Sequence, residues 1–258
     1  MLYLIIPLEV ALILYTLGKP GLGLVAGASL VLLTLYLWST KHRFGENVIP
    51  LEREAFPWLY DGIAELAERA EIPMPRVYLL DDYIPNAYSF GNTIVLSLGL
   101  FEVLDREEIL AVAAHELGHI KNGDTRLFPL VTYGRYLFLV TTLAIVVIGS
   151  TLAKVAALVL YLGYEVSRRS FMKDREFKAD ETALRLLRVP LSLKRALEEL
   201  KYYEDLRETV KVSGVPRIEP GIDRERKFTF IPETHPSYEE RIWRITYEMG
   251  RLINRNLQ

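Results

Sequence analysis

The sequence predicts a mainly helical α+β protein in which four transmembrane helices, arranged as two hairpins, interrupt a soluble domain carrying a small antiparallel sheet. Three observations predict it. The chain of 258 residues is 50% hydrophobic yet 25% charged. With a mean hydropathy of +0.15, that charge content requires apolar and charged stretches to be segregated. The apolar residues gather in two paired runs, one before residue 39 and one over 127–167. The intervening stretches alternate short β-rich segments with capped, amphipathic helical patterns.

Taken in order, residues 2–18 are apolar apart from Glu9, and 22–38 carry no charge. Each is close to the lower length limit for a spanning helix, roughly 17 residues. The break Lys19-Pro20-Gly21 joins them into a hairpin. No basic region precedes the first run and no cleavage site separates it from the second, so a spanning segment is expected rather than a signal peptide. Over 52–70, Leu59, Ile63, Leu66 and Ala70 recur at helical spacing. Residues 76–80 and 93–98 read as strands, with Gly91-Asn92 as a turn. Asp105 and Glu108 form a capping-box pattern opening a helix that should stop near Gly123.

Residues 127–150 and 151–167 form the second hairpin, turning near Gly149-Ser150-Thr151. Arg135 and Glu165 stand equally far from that turn, and a charge in lipid seeks a partner, so the two are expected to pair. A helix is expected over about 171–188, another from Ser192, and a last one opened by Pro236. Residues 212–234, rich in Gly, Pro and charge, read as a loop. The organisation is therefore 1–42 hairpin, 43–126 first soluble part, 127–168 hairpin, 169–258 second soluble part.

Basic residues set the orientation. Lys41, Arg43, Lys121, Arg126, Arg168, Arg169, Lys173 and Arg175 flank the spans on one side, against Lys19 and Lys154 on the other. Both soluble parts and both termini are expected in the cytoplasm, with the chain multi-pass in the cell membrane and the bilayer as a partner. A net charge of −2 gives no bias toward nucleic acid. The absence of cysteine excludes disulfides, a thiol nucleophile and thiolate ligands.

Any metal must be held by His, Asp and Glu. Residues 115–119 read His-Glu-Leu-Gly-His within a predicted helix. Positions four apart share a helix face, so His115 and His119 can reach one ion. Glu116 is turned about 100° from His115 and can address a water instead. Two ligands plus a general base is the content of this motif. A catalytic zinc takes three protein ligands and keeps one position open. Glu176, Glu181 and Glu198 on later helices are candidates for the third, and position alone does not choose among them.

The order of motifs resembles the HtpX family of membrane zinc metalloproteases, related to the CAAX prenyl proteases. The matching features are the N-terminal spans, Pro85-Asn86-Ala87-Tyr88, the segment 113–124 around the His-Glu-Leu-Gly-His motif, two further spans, Arg-Glu-Phe-Lys-Ala-Asp at 175–180, and Thr234-His235-Pro236 through Ile242. The resemblance implies a gluzincin-like zinc metallopeptidase domain with Glu176 as third ligand of Zn²⁺. It implies that Asp180 bonds a ligating histidine, fixing its tautomer and ring. His235 and Arg241 resemble the family's His-Pro-x-x-x-x-Arg element, with His235 expected as a catalytic group near the oxyanion and Arg241 holding His235 or an acid. Asn86, with the strand at 93–98, is expected to form the edge that pairs with substrate backbone. Asp124 reads as structural, pairing with Arg126 or Arg175. The implied substrates are proteins or peptides, chiefly misfolded or surplus membrane proteins.

Two other protease readings fit less well. Intramembrane site-2-type enzymes hold the motif inside a spanning helix, whereas Asp105, Arg106, Glu107 and Glu108 precede it here and Lys121, Asn122 and Asp124 follow. Four spans are too few for the large chamber of a CAAX prenyl protease. A non-catalytic scaffold would be expected to have lost part of the set, and none is missing.

Overall fold

The computed structural model describes residues 2–41, 47–213 and 236–256. The chain divides into two compact units, one of Met1–Glu46 with Arg126–Asp174 and one of Asn47–Thr125 with Arg175–Gln258.

The first unit is helical. Helix α1 spans Leu2–Lys41 and breaks at Gly18 (φ 61°, ψ −152°), so two helices meet at a kink one residue before the expected break. Helix α5 spans Asp124–Ile148, and α6 starts at Thr151, which places the second turn where it was expected. Among the described residues, two stretches are long and apolar enough to cross a membrane, Leu4–Thr34, which contains the kink, and Asp124–Ile148. Within the unit, Ile13, Ile145, Ala153 and Ala157 pack together, as do Ile5, Phe138 and Tyr164. The expected Arg135–Glu165 pair forms at 3.1 Å, and Arg168 joins Glu165 at 3.0 Å. Glu9 is buried and accepts a hydrogen bond from the Thr141 hydroxyl at 2.8 Å.

The second unit is α+β. Helix α2 (Pro57–Arg69) has Pro at its start, where the missing N–H costs nothing, and buries Leu59, Ile63 and Leu66, the face its spacing predicted. The sheet holds β1 (Val48–Pro50), β2 (Arg76–Leu80), β3 (Ala87–Phe90) and β4 (Thr93–Ser97), in the order β1-β2-β4-β3. It is mixed, which corrects the expected antiparallel sheet. β2 runs parallel to β4, and the other two pairings are antiparallel. Residues 81–92 supply the long connection a parallel pair needs, and β3 uses part of that length to hairpin onto the far side of β4. β4 is therefore internal, and all five of its residues are buried.

After the short α3 (Gly99–Val103), helix α4 (Arg106–Lys121) runs through the middle of the core. Its capping box is complete: Asp105 accepts from the Glu108 N–H, and Glu108 accepts from the Asp105 N–H, both at 2.9 Å. One face of α4 meets β3 and β4, and others meet α2 and α7 (Leu191–Ser213). That enclosure explains the unbroken burial of Ala111 through His119. Each fully buried Leu or Ile here contributes about 1.5–3 kcal/mol, which offsets the cost of lining one side of α4 with ionisable groups. The helix expected over 171–188 is the end of one long α6, Thr151–Leu186. The last helix, α8 (Tyr238–Asn256), starts two residues after Pro236, with the Ser237 hydroxyl accepting from the Glu240 N–H at 3.2 Å. Ser237, not Pro236, opens it. Helix α7 takes in residues 212 and 213. The rest of the expected 212–234 loop, and His235, lie outside the described residues.

Candidate metal centre

Helices α4 and α6 present two i, i+4 pairs to each other, His115 with His119 and Glu176 with Asp180. Their close approach depends on Gly118. A Cβ there would stand 2.8 Å from the Ala179 carbonyl oxygen and 3.0 Å from its Cα. Ala179, itself fully buried, lies between Glu176 and Asp180 in sequence.

His115 Nε2 and His119 Nε2 are 3.2 Å apart. Glu176 Oε2 lies 3.5 Å from His115 Nε2, and Glu176 Oε1 lies 3.4 Å from His119 Nε2. These three buried side chains form a group that could hold a metal ion. The triangle has the right size. Donors about 2.0–2.2 Å from a tetrahedral zinc stand about 3.3–3.6 Å from one another. The donor set, two imidazoles and a carboxylate, also fits a catalytic zinc, which leaves its fourth position open. Of the other carboxylates weighed for the third place, Glu181 pairs with Arg185 at 2.6 Å and Glu198 with Lys194 at 2.7 Å, both on exposed helix surface.

The opposite ring nitrogens are also engaged. His115 Nδ1 meets Asp180 Oδ1 at 2.8 Å, and His119 Nδ1 meets Asp124 Oδ2 at 2.9 Å. Each carboxylate takes the Nδ1–H and leaves Nε2 facing the centre. Each also has an arginine. Arg241 on α8 bonds Asp180 through Nε at 2.9 Å and Nη2 at 2.5 Å, and Nη2 also lies 3.2 Å from His115 Nδ1. Arg175 on α6 bonds Asp124 through Nε and donates from Nη2 to the Asn122 carbonyl at 2.6 Å.

The electrostatics follow from crowding charges out of water. Burial works against protonation of His119, but hydrogen bonds to Asp124 and Glu176 and the charges of Glu176 and Glu116 outweigh it, raising the ring to about 10. His115 is also raised: burial and Arg241 act against its charged form, and Asp180 and Glu176 prevail. Burial would raise Asp180, but Arg241 and His115 hold it at about 2. Arg241 is raised above its ordinary value, with Asp180 overcoming burial. Two buried imidazoles amid buried carboxylates thus draw positive charge into this spot.

Asp124 is the site residue that sequence reasoning underrated. Helix α4 stops at Asn122, and Gly123 turns the chain at φ +75°, a left-handed conformation that suits glycine. Asp124 begins α5 and is fully buried. An acid directly after a Gly stop, five residues beyond the second histidine, was the available signal. Glu116 is buried on α4 beside His115. Asn86 is exposed. Its N–H donates to Ser97 Oγ at 2.8 Å, and its carbonyl accepts from the Ser97 N–H at 2.9 Å. The expected edge at 93–98 is displaced: that strand is internal, and the edge strand that follows Asn86 is β3, Ala87–Phe90. Tyr88 and Phe90 stack on β3, with centroids 6.2 Å apart.

A helix-borne His-Glu-x-x-His segment facing a buried glutamate on a second helix, over a small mixed sheet, defines a metallopeptidase. The chain belongs to peptidase family M48, whose profile matches residues 53–249. Within that family it is similar to HtpX proteases. The Protease HtpX homolog of Persephonella marina is 32% identical over 231 residues, covering 77% of this chain and 76% of that one. The Protease HtpX homolog of Aquifex aeolicus is 30% identical over 247 residues, covering 78% and 74%. The crystal structure of S. mikatae Ste24p matches with a TM-score of 0.52 at 19% identity, over 95% of this chain and 66% of that chain, a likeness of fold.

Proposed function

We propose that this metallopeptidase is a zinc-dependent endopeptidase of the cell membrane, with His115, His119 and Glu176 as ligands and Glu116 as general base. The observation that carries the reading is the triangle of donor atoms at 3.2, 3.4 and 3.5 Å, with both outer ring nitrogens on buried aspartates. A zinc ion held there would act as a Lewis acid and lower the pKa of water to about 7.

The remaining steps belong to the protein. Glu116 accepts a proton from the attacking water and returns it to the leaving amine. Asp180 and Arg241 fix the His115 ring, so its Nε2 needs no reorganisation when the metal enters. The resemblance of Thr234-His235-Pro236 to the family's element supports His235 as the donor to the carbonyl oxygen as charge develops there. The β3 edge, beginning beside Asn86, offers backbone hydrogen bonds to an extended substrate. The apolar stretches Leu4–Thr34 and Asp124–Ile148 support membrane anchoring. With the kink at Gly18 and the apolar start of α6, we read four spans in two hairpins, cytoplasmic catalytic parts, and misfolded membrane proteins as substrates.

The test uses full-length protein in detergent, with casein as an unfolded substrate, beside Glu116→Gln. Zinc in both samples and cleavage by the wild type alone is the expected result. Loss of zinc from the wild type after mild gel filtration, or equal cleavage by the variant, overturns it.

A further inference from the structure

We propose that Asp124, held by Arg175, is a positioning residue for His119, and that this limb contributes to metal affinity. The inference rests on the metal-centre reading and adds to it a residue whose sequence position suggested only a structural role.

The geometry is specific. Asp124 is fully buried, and Oδ2 takes the His119 Nδ1 contact at 2.9 Å while Oδ1 takes Arg175. Its two oxygens are thus divided between a ring to be oriented and a cation that offsets the buried charge. An aspartate buried only for structure would need the arginine but not the ring. Arg175 is fixed in turn by its bond to the Asn122 carbonyl, the C-cap of α4. The limb therefore ties the ring of His119 to the end of its own helix. Arg175 also immediately precedes Glu176, so one short stretch of α6 supplies both a proposed ligand and the lock on another. Asp124 and Arg175 stand where the two chain segments of this unit end and begin, Asn47–Thr125 and Arg175–Gln258. One ion pair thus closes the unit and aims a ligand.

A carboxylate behind a ligating imidazole fixes the Nδ1–H tautomer, restricts ring rotation and raises the basicity of Nε2. Losing such a partner typically weakens metal binding about 10–100-fold. Arg175→Ala should weaken it less, because Asp124 stays in place but gains freedom. Arg175→Lys keeps a cation on Asp124 and should recover most of the loss.

The experiment is chelator competition for zinc on the full chain in detergent, for wild type, Asp124→Asn, Arg175→Ala, Arg175→Lys and His119→Ala, with circular dichroism and melting temperature on each. The visible spectrum of the cobalt-loaded protein reports the ligand field directly. Asp124→Asn is expected to bind zinc about 10–100-fold more weakly, to shift the cobalt bands, and to regain cleavage at excess zinc. Wild-type zinc affinity and cobalt spectrum in both Asp124→Asn and Arg175→Ala, with only the melting temperature lowered, would overturn the proposal. If Asp124→Asn does not fold, Arg175→Ala against Arg175→Lys decides on the same readout. His119→Ala separates the two levels: wild-type zinc affinity in that variant sinks the metal centre itself, whereas its loss beside an unaffected Asp124→Asn sinks only this inference.

Discussion

The two histidine limbs use the same groups over different chain distances. His119 reaches its aspartate five residues away, across a glycine turn, and that aspartate reaches its arginine 51 residues on. His115 meets an aspartate on α6 and an arginine 126 residues away on α8. The nearer limb is closed by local backbone geometry, and the farther one by tertiary packing of the last helix. Arg241 sets two nitrogens on the Asp180 carboxylate, whereas Arg175 divides its donors between Asp124 and the Asn122 carbonyl. The His115 limb should therefore be the costlier to break and the His119 limb the more tolerant.

The largest expected effect is Arg241→Ala. It leaves Asp180 charged and buried without its guanidinium, and breaking such a pair costs about 3–5 kcal/mol. Urea denaturation should show it, with a smaller loss for Arg175→Ala. Equal losses would erase the distinction between the limbs. Next comes the pH dependence of the Asp180 limb. Asp180 is held at about 2, below its ordinary 3.8. Because the folded value is depressed, its contribution is complete above about pH 4 and is lost as pH falls through about 2. The shift corresponds to about 2 kcal/mol. The stability difference between wild type and Asp180→Asn should shrink over that window, and a difference independent of pH would show that shape, not charge, holds the limb.

Gly118→Ala probes what the limbs share. Its methyl would press on the Ala179 backbone, and overpacking of this kind costs about 1–3 kcal/mol. Because Ala179 carries Glu176 and Asp180 on either side, zinc affinity should fall together with melting temperature. Unchanged affinity would mean that the α4–α6 spacing is adjustable. The smallest effect is Asp105→Ala at the capping box of α4, about 1 kcal/mol, with no change in zinc affinity. It calibrates what destabilising α4 does without touching either limb.

The sequence carried the local parts of this design and missed those that depend on distant partners. The α4 start was legible because a capping box lies within four residues, and the His115–His119 face because helix spacing is fixed. The kink near Gly18 and the turn at 149–151 followed from Gly and polar residues between apolar runs. Strand β1 has three residues and β3 four without alternation, so neither has a periodic signature. The parallel β2–β4 pairing is decided by where residues 81–92 travel, which no local pattern encodes. Asp180 was reached through resemblance. Asp124 was underrated because the turn that returns it to His119 depends on the conformation of one glycine, and an acid after a helix stop is ordinarily a surface feature. The continuity of α6 was missed because its composition changes from apolar to charged midway, while helix formation continues through the change.

The 126-residue separation between His115 and Arg241 also has a consequence in time. At about 5–20 residues per second, a growing chain that has just made His115 waits roughly 6–25 s before Arg241 exists to close its limb. Arg175 follows Asp124 by 51 residues, so the partner of the other limb arrives sooner. During synthesis the candidate metal centre is thus half-fastened for seconds, and each new molecule closes its His115 limb only once Arg241 has been made.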